Sequence, residues 1–255
     1  MDIDRFIRDG YVAVRNAFDP DTAAACRDVI WDRLAEHGVT RDQATWTRPD
    51  VRIDCPEGGP FVTAGTAPAL WAAYDELIGP GRWTKRRGVG GTIPVRFPGE
   101  ELPDSVGWHF EGSYDVDGRW WTNVRSRARG LLALFLFDDV SDDDAPTRLA
   151  VGSHLAVPRL LAPFGEAGAH GDKAMPGLRP SILCRQVAHA TGKAGDVILC
   201  HPFLLHTATW PHRGIRPRMM AQPGVEALGG FAVDGTDPSP VARAIVEGFA
   251  TDWAN

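Results

Sequence analysis

The middle of this chain is cut every few residues by Gly, Pro or Asp, and the pieces between the cuts are short and apolar. "GTIPVRF" (91–97), "GLLALFLFDDV" (130–140), "APTRLAV" (145–151), "GDVILCH" (195–201) and "RMMAQPGV" (218–225) have strand length and strand composition. Pro94 and Pro223 fall inside two of them, so both must sit at edges or bulges, where a missing N–H is tolerated. Helical signals lie toward the ends. Asp19 can cap a helix that starts at Pro20, carries Ala23, Cys26, Ile30 and Leu34 at helical spacing, and stops before Gly38. A second helix follows Thr66, with Leu70, Ala73, Tyr74 and Leu77 on one face and Gly79-Pro80 as its stop; a third begins near Ser239-Pro240 and carries Val241, Ala244, Ile245 and Phe249. Strands gathered in the middle and helices at the ends are not alternating βαβ units. They predict an antiparallel sandwich or barrel with helices packed outside it.

The 255 residues show no internal repeat, low-complexity tract or long linker, so a single domain over 1–255 is expected. With 44% hydrophobic and 24% charged residues the composition is that of an ordinary soluble chain. No run approaches the 18 or so apolar residues of a membrane span, and "MDIDRFIRDG" has neither the basic nor the apolar region of a signal peptide, which predicts a cytoplasmic protein with no membrane partner. A net charge of −6 argues against nucleic acid as a partner; the one basic cluster, "RSRARG" from Arg125, reads as a solvated strand entry. Cys26, Cys55, Cys184 and Cys200 are widely spaced, with no Cys-x-x-Cys pair, so buried free thiols are expected rather than a zinc ribbon or a disulfide framework.

The stretch "GWHFEGSYD" (107–115) places a histidine and a carboxylate two residues apart. In an extended chain such residues share a face with Cα atoms roughly 6.5 Å apart, so His109 and Glu111 can reach one ion at about 2.0 to 2.2 Å. His-x-Glu also occurs by chance in many sequences, and a surface histidine is the bland alternative. Downstream, "GDVILCHPFLLHTATWPHRGIRPRMMAQ" ends an apolar strand in His201 and His206 and continues into Arg213, Arg216 and Arg218. One of those histidines with His109 and Glu111 makes a two-histidine, one-carboxylate face for iron(II), and an arginine on the next strand offers a fork for the carboxylate of a co-substrate.

Four segments in this order resemble the phytanoyl-CoA dioxygenase family of Fe(II)/2-oxoglutarate-dependent oxygenases: "FIRDGYVAVRNAFDPDTAAACRDVI", "GWHFEGSY", "LFLFDDVSDDDAPTRLAVGSHLAVPRLL" and "GDVILCHPFLLHTATW…RPRMMA". In the third, Val151 stands where the family has the proline of Pro-Gly-Ser-His. The resemblance implies a mainly β fold with flanking helices around a double-stranded β-helix (jelly roll, cupin-like) core. It implies Fe(II), 2-oxoglutarate and O2 as cofactor and co-substrates, and hydroxylation of a small molecule with release of succinate and CO2. In the family's His-Pro-x-Leu-Leu-His pattern the second histidine is the ligand, which gives His109, Glu111 and His206 as the metal set and leaves His201 a structural or supporting residue. Arg218 fits best as the arginine for the distal carboxylate of 2-oxoglutarate, with Arg216 second and Arg213 a solvated loop charge.

Other residues take less specific roles. Thr147 is placed to offer a hydroxyl to 2-oxoglutarate, against the plainer reading of a half-buried strand threonine; Arg96 is a candidate for an anionic substrate or a snorkelling side chain. Trp108, Trp120, Trp121 and Trp210 flank the ligands in sequence, and Trp108, Trp120 and Trp210 are candidates for a substrate pocket, although core packing explains most tryptophans. The segments 38–66 and 155–190 are expected to form lid and pocket walls. Glu111 departs from the family's aspartate by one methylene and remains a competent ligand, while Asp115 matches no part of the pattern. Two other readings use the same residues: a non-catalytic metal- or metabolite-binding relative of this fold, and a zinc-dependent hydrolase with a bound water. The arginines after His206 favour 2-oxoglutarate over the hydrolase.

Overall fold

The most apolar run, Leu131–Leu136, is buried at every position, so it has to be covered on both faces. In the computed structural model, which describes residues 1–101, 107–183 and 185–251, that strand lies inside an antiparallel sheet. The order is Tyr11–Val14, Val197–Cys200, Leu131–Leu136 and Met220–Ala221, with Gly224–Val225 also pairing to Leu131–Leu136. Alternate side chains then part to opposite faces. Leu132, Leu134 and Leu136 share an apolar cluster with Leu149, Ala190 and Met220. Leu131, Ala133, Phe135 and Phe137 join the larger cluster that holds Phe6, Ile30, Leu70 and Val241. One face of the sheet therefore meets a second antiparallel sheet, ordered His206–Thr207, Arg148–Ala150, Val187–His189, and the other meets the helices.

The prolines take the positions their missing N–H allows. Pro94 sits in the two-stranded sheet Asp50–Asp54 with Thr92–Arg96. Pro223 interrupts the outer strand between Ala221 and Gly224 and keeps only an acceptor role, its carbonyl taking a hydrogen bond from Ala133 N at 2.9 Å. A third small sheet joins Tyr114–Val116, Arg119–Thr122 and Ala169–His170.

The three expected helices form. Pro20–Ala35 is capped by the Asp19 side chain on Asp21 N, and Pro240–Ala250 by Ser239 on Ala242 N. The second runs Pro68–Ile78 and is preceded by Ala67 rather than Thr66, because Pro68 with its fixed φ opens it. Further helices at Ile3–Asp9, Pro60–Gly65, Val157–Leu161 and Gly171–Leu183 have weak sequence signals: three are under eight residues, and the fourth contains Pro176 and Gly177. Among the described residues, no helix is long and apolar enough to cross a membrane.

Two buried histidines tie the first and last helices to the sheet. His154 donates Nε2–H to Ile7 O at 2.9 Å; His201 accepts from Phe203 N at Nδ1 and donates Nε2–H to Val241 O. Their rings stand 4.9 Å apart, and burial lowers the pKa of both, to about 4 for His154 and well below the usual value for His201. Gly10 makes this approach possible. It has φ +86°, and a Cβ there would fall 2.5 Å from His154 Nδ1. Cys26, Cys55 and Cys200 are free and buried, with burial pushing the first two thiols up to about 12; Cys184 lies outside the described residues.

Candidate metal centre

His109 and His206, far apart in sequence, are joined backbone to backbone. His109 N donates to His206 O at 3.1 Å and His206 N to His109 O at 2.9 Å, and Glu111 N continues the pairing to Pro202 O. Residues bridged in this way face the same side, and Glu111, two further on, faces it too. The two imidazole centroids are 4.3 Å apart, and ligand atoms of His109, Glu111 and His206 all lie within 4.8 Å of one another.

Hydrogen bonds assign the tautomers. His109 Nδ1 is 2.9 Å from Gly107 O and His206 Nδ1 is 3.0 Å from Leu204 O. A carbonyl only accepts, so each Nδ1 carries a proton, and in the neutral ring Nε2 is the nitrogen that keeps its lone pair. His206 Nε2 then faces Glu111 Oε1 at 3.4 Å, lone pair toward lone pair, an arrangement that a cation between them stabilises. Burial pushes the Glu111 carboxyl up, but with no ion between them a hydrogen bond and positive charge from a protonated His206 ring, together with the Arg129 charge, outweigh it and hold it down to about 2. Burial and the neighbouring His206 lower the His109 pKa. Both effects favour the ligating protonation states, a neutral imidazole and a carboxylate.

Arg129 is the residue that the sequence reading misplaced. It is no solvated strand entry: its side chain is only 15% exposed, Nη1 stands 3.3 Å from Glu111 Oε2, and Nη2 donates to Gly112 O at 2.8 Å. Arg125, from the same cluster, pairs with Glu166, and Arg127 covers the Tyr114 ring at 4.3 Å.

Arg218 and Arg96 meet at an antiparallel bridge, and both are buried, at 1% and 3% exposure. Arg218 donates to Ala145 O and Pro94 O, yet its Nε finds no partner, and neither do Nε and Nη1 of Arg96 or Nε2 of the adjacent His212. Burial lowers the pKa of both arginines, and each lies near other cations. Unpartnered N–H groups on two buried guanidiniums are what an anion site presents before its anion arrives. Thr147 is buried immediately before the strand Arg148–Ala150, on the same face as Leu149 and His206. Arg216 is elsewhere, exposed in a cleft of about 370 Å³ beside Asp138 and Asp139, and Arg213 is exposed.

His109 and Glu111 line a cavity of about 550 Å³ whose walls also include Trp108, Trp120, Thr122, Arg129, His170 and Met175. Of the expected pocket residues, Trp108 and Trp120 line it; Arg96 and Trp210 do not. Trp121 instead pairs with Tyr114 and His170 in the small sheet. The segment 155–190 supplies His170, Gly171, Asp172 and Met175, whereas no described residue of 38–66 lines the cavity: strand 50–54 is spent pairing with 92–96. Asp115 lies in the strand Tyr114–Val116, and its side chain accepts from Gly118 N of the hairpin turn that follows.

Residues 106–220 match the family model of phytanoyl-CoA dioxygenase (PhyH). No curated protein matches the chain. Among solved structures, the non-heme alpha ketoglutarate dependent carbocyclase SnoK from nogalamycin biosynthesis is similar with a TM-score of 0.57 and 15% identity, over 88% of this chain and 82% of that one. The epimerase SnoN, in complex with Fe3+, alpha ketoglutarate and nogalamycin RO, has TM-score 0.58 and 18% identity over 88% and 81%. HygX from Streptomyces hygroscopicus, with nickel and 2-oxoglutarate bound, has TM-score 0.53 and 17% identity over 87% and 84%. At such identities the likeness is one of fold. The family match is narrower in extent, and the matched segment contains His109, Glu111, His206 and Arg218.

Proposed function

We propose that the chain is an Fe(II)- and 2-oxoglutarate-dependent dioxygenase that hydroxylates a small molecule. The observation that carries this reading is the convergence of His109, Glu111 and His206, with both Nδ1–H groups held by carbonyls and both Nε2 lone pairs free. Two imidazoles and a carboxylate on one face suit iron(II) and leave open positions on the far side. The two-sheet arrangement, with the ligands on the inner face of the smaller sheet, fits a double-stranded β-helix core, and the larger apolar cluster, which runs from Phe6 to Ile245, fits one domain.

Held by His109, Glu111 and His206, iron(II) would supply the activation of O2 that couples decarboxylation of 2-oxoglutarate, to succinate and CO2, to insertion of oxygen into a substrate C–H bond. The protein's residues do the remainder. Arg218, helped by Arg96, pairs with the distal carboxylate of 2-oxoglutarate and fixes its orientation; the orphaned N–H groups support this role. Thr147, buried on the face that carries His206, is a further polar contact for it. Gly107 O and Leu204 O hold the two ligand rings at a fixed rotation. The substrate occupies the cavity walled by Trp108 and Trp120, whose indoles offer it apolar faces. A zinc hydrolase with the same three ligands has no use for two buried guanidiniums without a carboxylate partner.

The expected result is succinate formation from 2-oxoglutarate that requires Fe(II) and O2 and disappears in His206→Ala. Wild-type protein that makes no succinate, with or without a panel of small substrates, contradicts the reading.

A further inference from the structure

Glu111 is one methylene longer than the aspartate of the family pattern, roughly 1.5 Å of added reach. Its two oxygens have different partners: Oε1 faces His206 Nε2 at 3.4 Å and Oε2 faces Arg129 Nη1 at 3.3 Å. The guanidinium that meets Oε2 is held in place independently. Arg129 Nη2 donates to Gly112 O at 2.8 Å, and a tight turn anchors its backbone, with Arg129 N donating to Ser126 O and Ser126 Oγ donating to Arg129 O. Gly224 leaves the room it occupies, for a Cβ there would collide with Nη1 and Cζ of Arg129.

We propose that Arg129 is a positioning residue for the metal centre: it holds Glu111 Oε2 so that Oε1 alone joins the two Nε2 atoms as a ligand. The glutamate is the residue that can touch both the ion and the arginine. Without that hold, the extra side-chain torsion lets both oxygens turn to the ion, and the second takes a position a co-substrate needs. The inference rests on the reading of His109, Glu111 and His206 as a metal centre.

Cobalt(II), a visible-absorbing stand-in for iron, tests it by titration of wild type, Arg129→Gln, Glu111→Asp and the double variant, each first checked by thermal melting. Arg129→Gln is expected to weaken Co(II) by about 10- to 100-fold, the usual consequence of losing a ligand's outer partner. It should also change the intensity of the Co(II) visible bands, as the unheld carboxylate no longer presents one fixed oxygen to the ion. In the Glu111→Asp background the same substitution should change affinity by less than about threefold, because the shorter carboxylate does not reach Arg129. Arg129→Lys should recover part of the loss, and Gly224→Ala, which displaces the guanidinium while keeping every ligand, should reproduce it; these two carry the test if Arg129→Gln does not fold. Arg129 variants that match wild-type affinity, or an Arg129→Gln loss of equal size in the wild-type and Glu111→Asp backgrounds, overturn the proposal. Failure of the wild type to bind Co(II) at all overturns the metal centre itself, and the role of Arg129 with it.

Discussion

Arg96 and Arg218 face one another across an antiparallel bridge, Arg96 N to Arg218 O at 3.1 Å and Arg218 N to Arg96 O at 2.8 Å, and both guanidiniums are buried with unpartnered N–H groups. Two like charges kept this way oppose folding until an anion joins them. Arg218→Met is therefore expected to weaken 2-oxoglutarate by about 100-fold or more. In the absence of co-substrate, thermal melting should find Arg96→Met as stable as wild type or more stable by about 1 kcal/mol. A large loss of stability in unliganded Arg96→Met, with 2-oxoglutarate binding intact, contradicts the assignment.

Removing a ligand should separate metal binding from folding. His109 lines the open cavity, and its replacement by alanine leaves the apolar clusters untouched. His109→Ala is expected to keep the wild-type melting temperature within a few degrees in metal-free buffer and to lose more than about 100-fold in metal affinity, beyond the effect of losing an outer partner. Calorimetry with and without added metal reads both.

Stability should fall with acid well before the carboxylates titrate. His154 and His201 are neutral and buried, with folded pKa values below the unfolded value of about 6.5. The unfolded chain thus binds more protons as pH falls below about 6.5, and the stability present above that pH is lost on the way toward about 4. Each histidine contributes a slope of up to about 1.4 kcal/mol per pH unit. Urea unfolding at pH 7.5, 6.5 and 5.5 checks this, and His154→Gln should remove part of the slope.

Asp237 receives both Nη groups of Arg82, at 2.7 and 2.6 Å, and accepts from Ser239 N just before the last helix. Burial raises its pKa, but these bonds win and hold it down to about 2. Its contribution is therefore present above about pH 4 and lost only in stronger acid. Asp237→Asn is expected to cost about 2 kcal/mol at pH 7 in denaturant unfolding, discounted because Arg82 is 35% exposed.

Local signals were readable and distant pairings were not. Asp19-Pro20 and Ser239-Pro240 mark helix starts within a few residues of their effect, and the two prolines in strands point to an edge and a bulge. His109, Glu111 and His206 were legible as types of ligand, with the family resemblance choosing His206 over His201. Arg129 was not: its own neighbourhood, "RSRARG", looks like a solvated run, and only the fold sets it against Glu111 and the space left by Gly224. The approach of Arg96 to Arg218 and the pairing of Tyr11–Val14 with Val197–Cys200 are long-range in the same way, as neither partner alters the other's local pattern.

The central claim is that these residues hold iron(II) and 2-oxoglutarate together, and anaerobic titration of the iron-loaded protein with 2-oxoglutarate tests it most directly. A weak visible charge-transfer band should appear on addition of 2-oxoglutarate to wild type, be absent in His206→Ala, and require far more co-substrate in Arg218→Met. No band in the wild type at saturating iron and 2-oxoglutarate would contradict the claim.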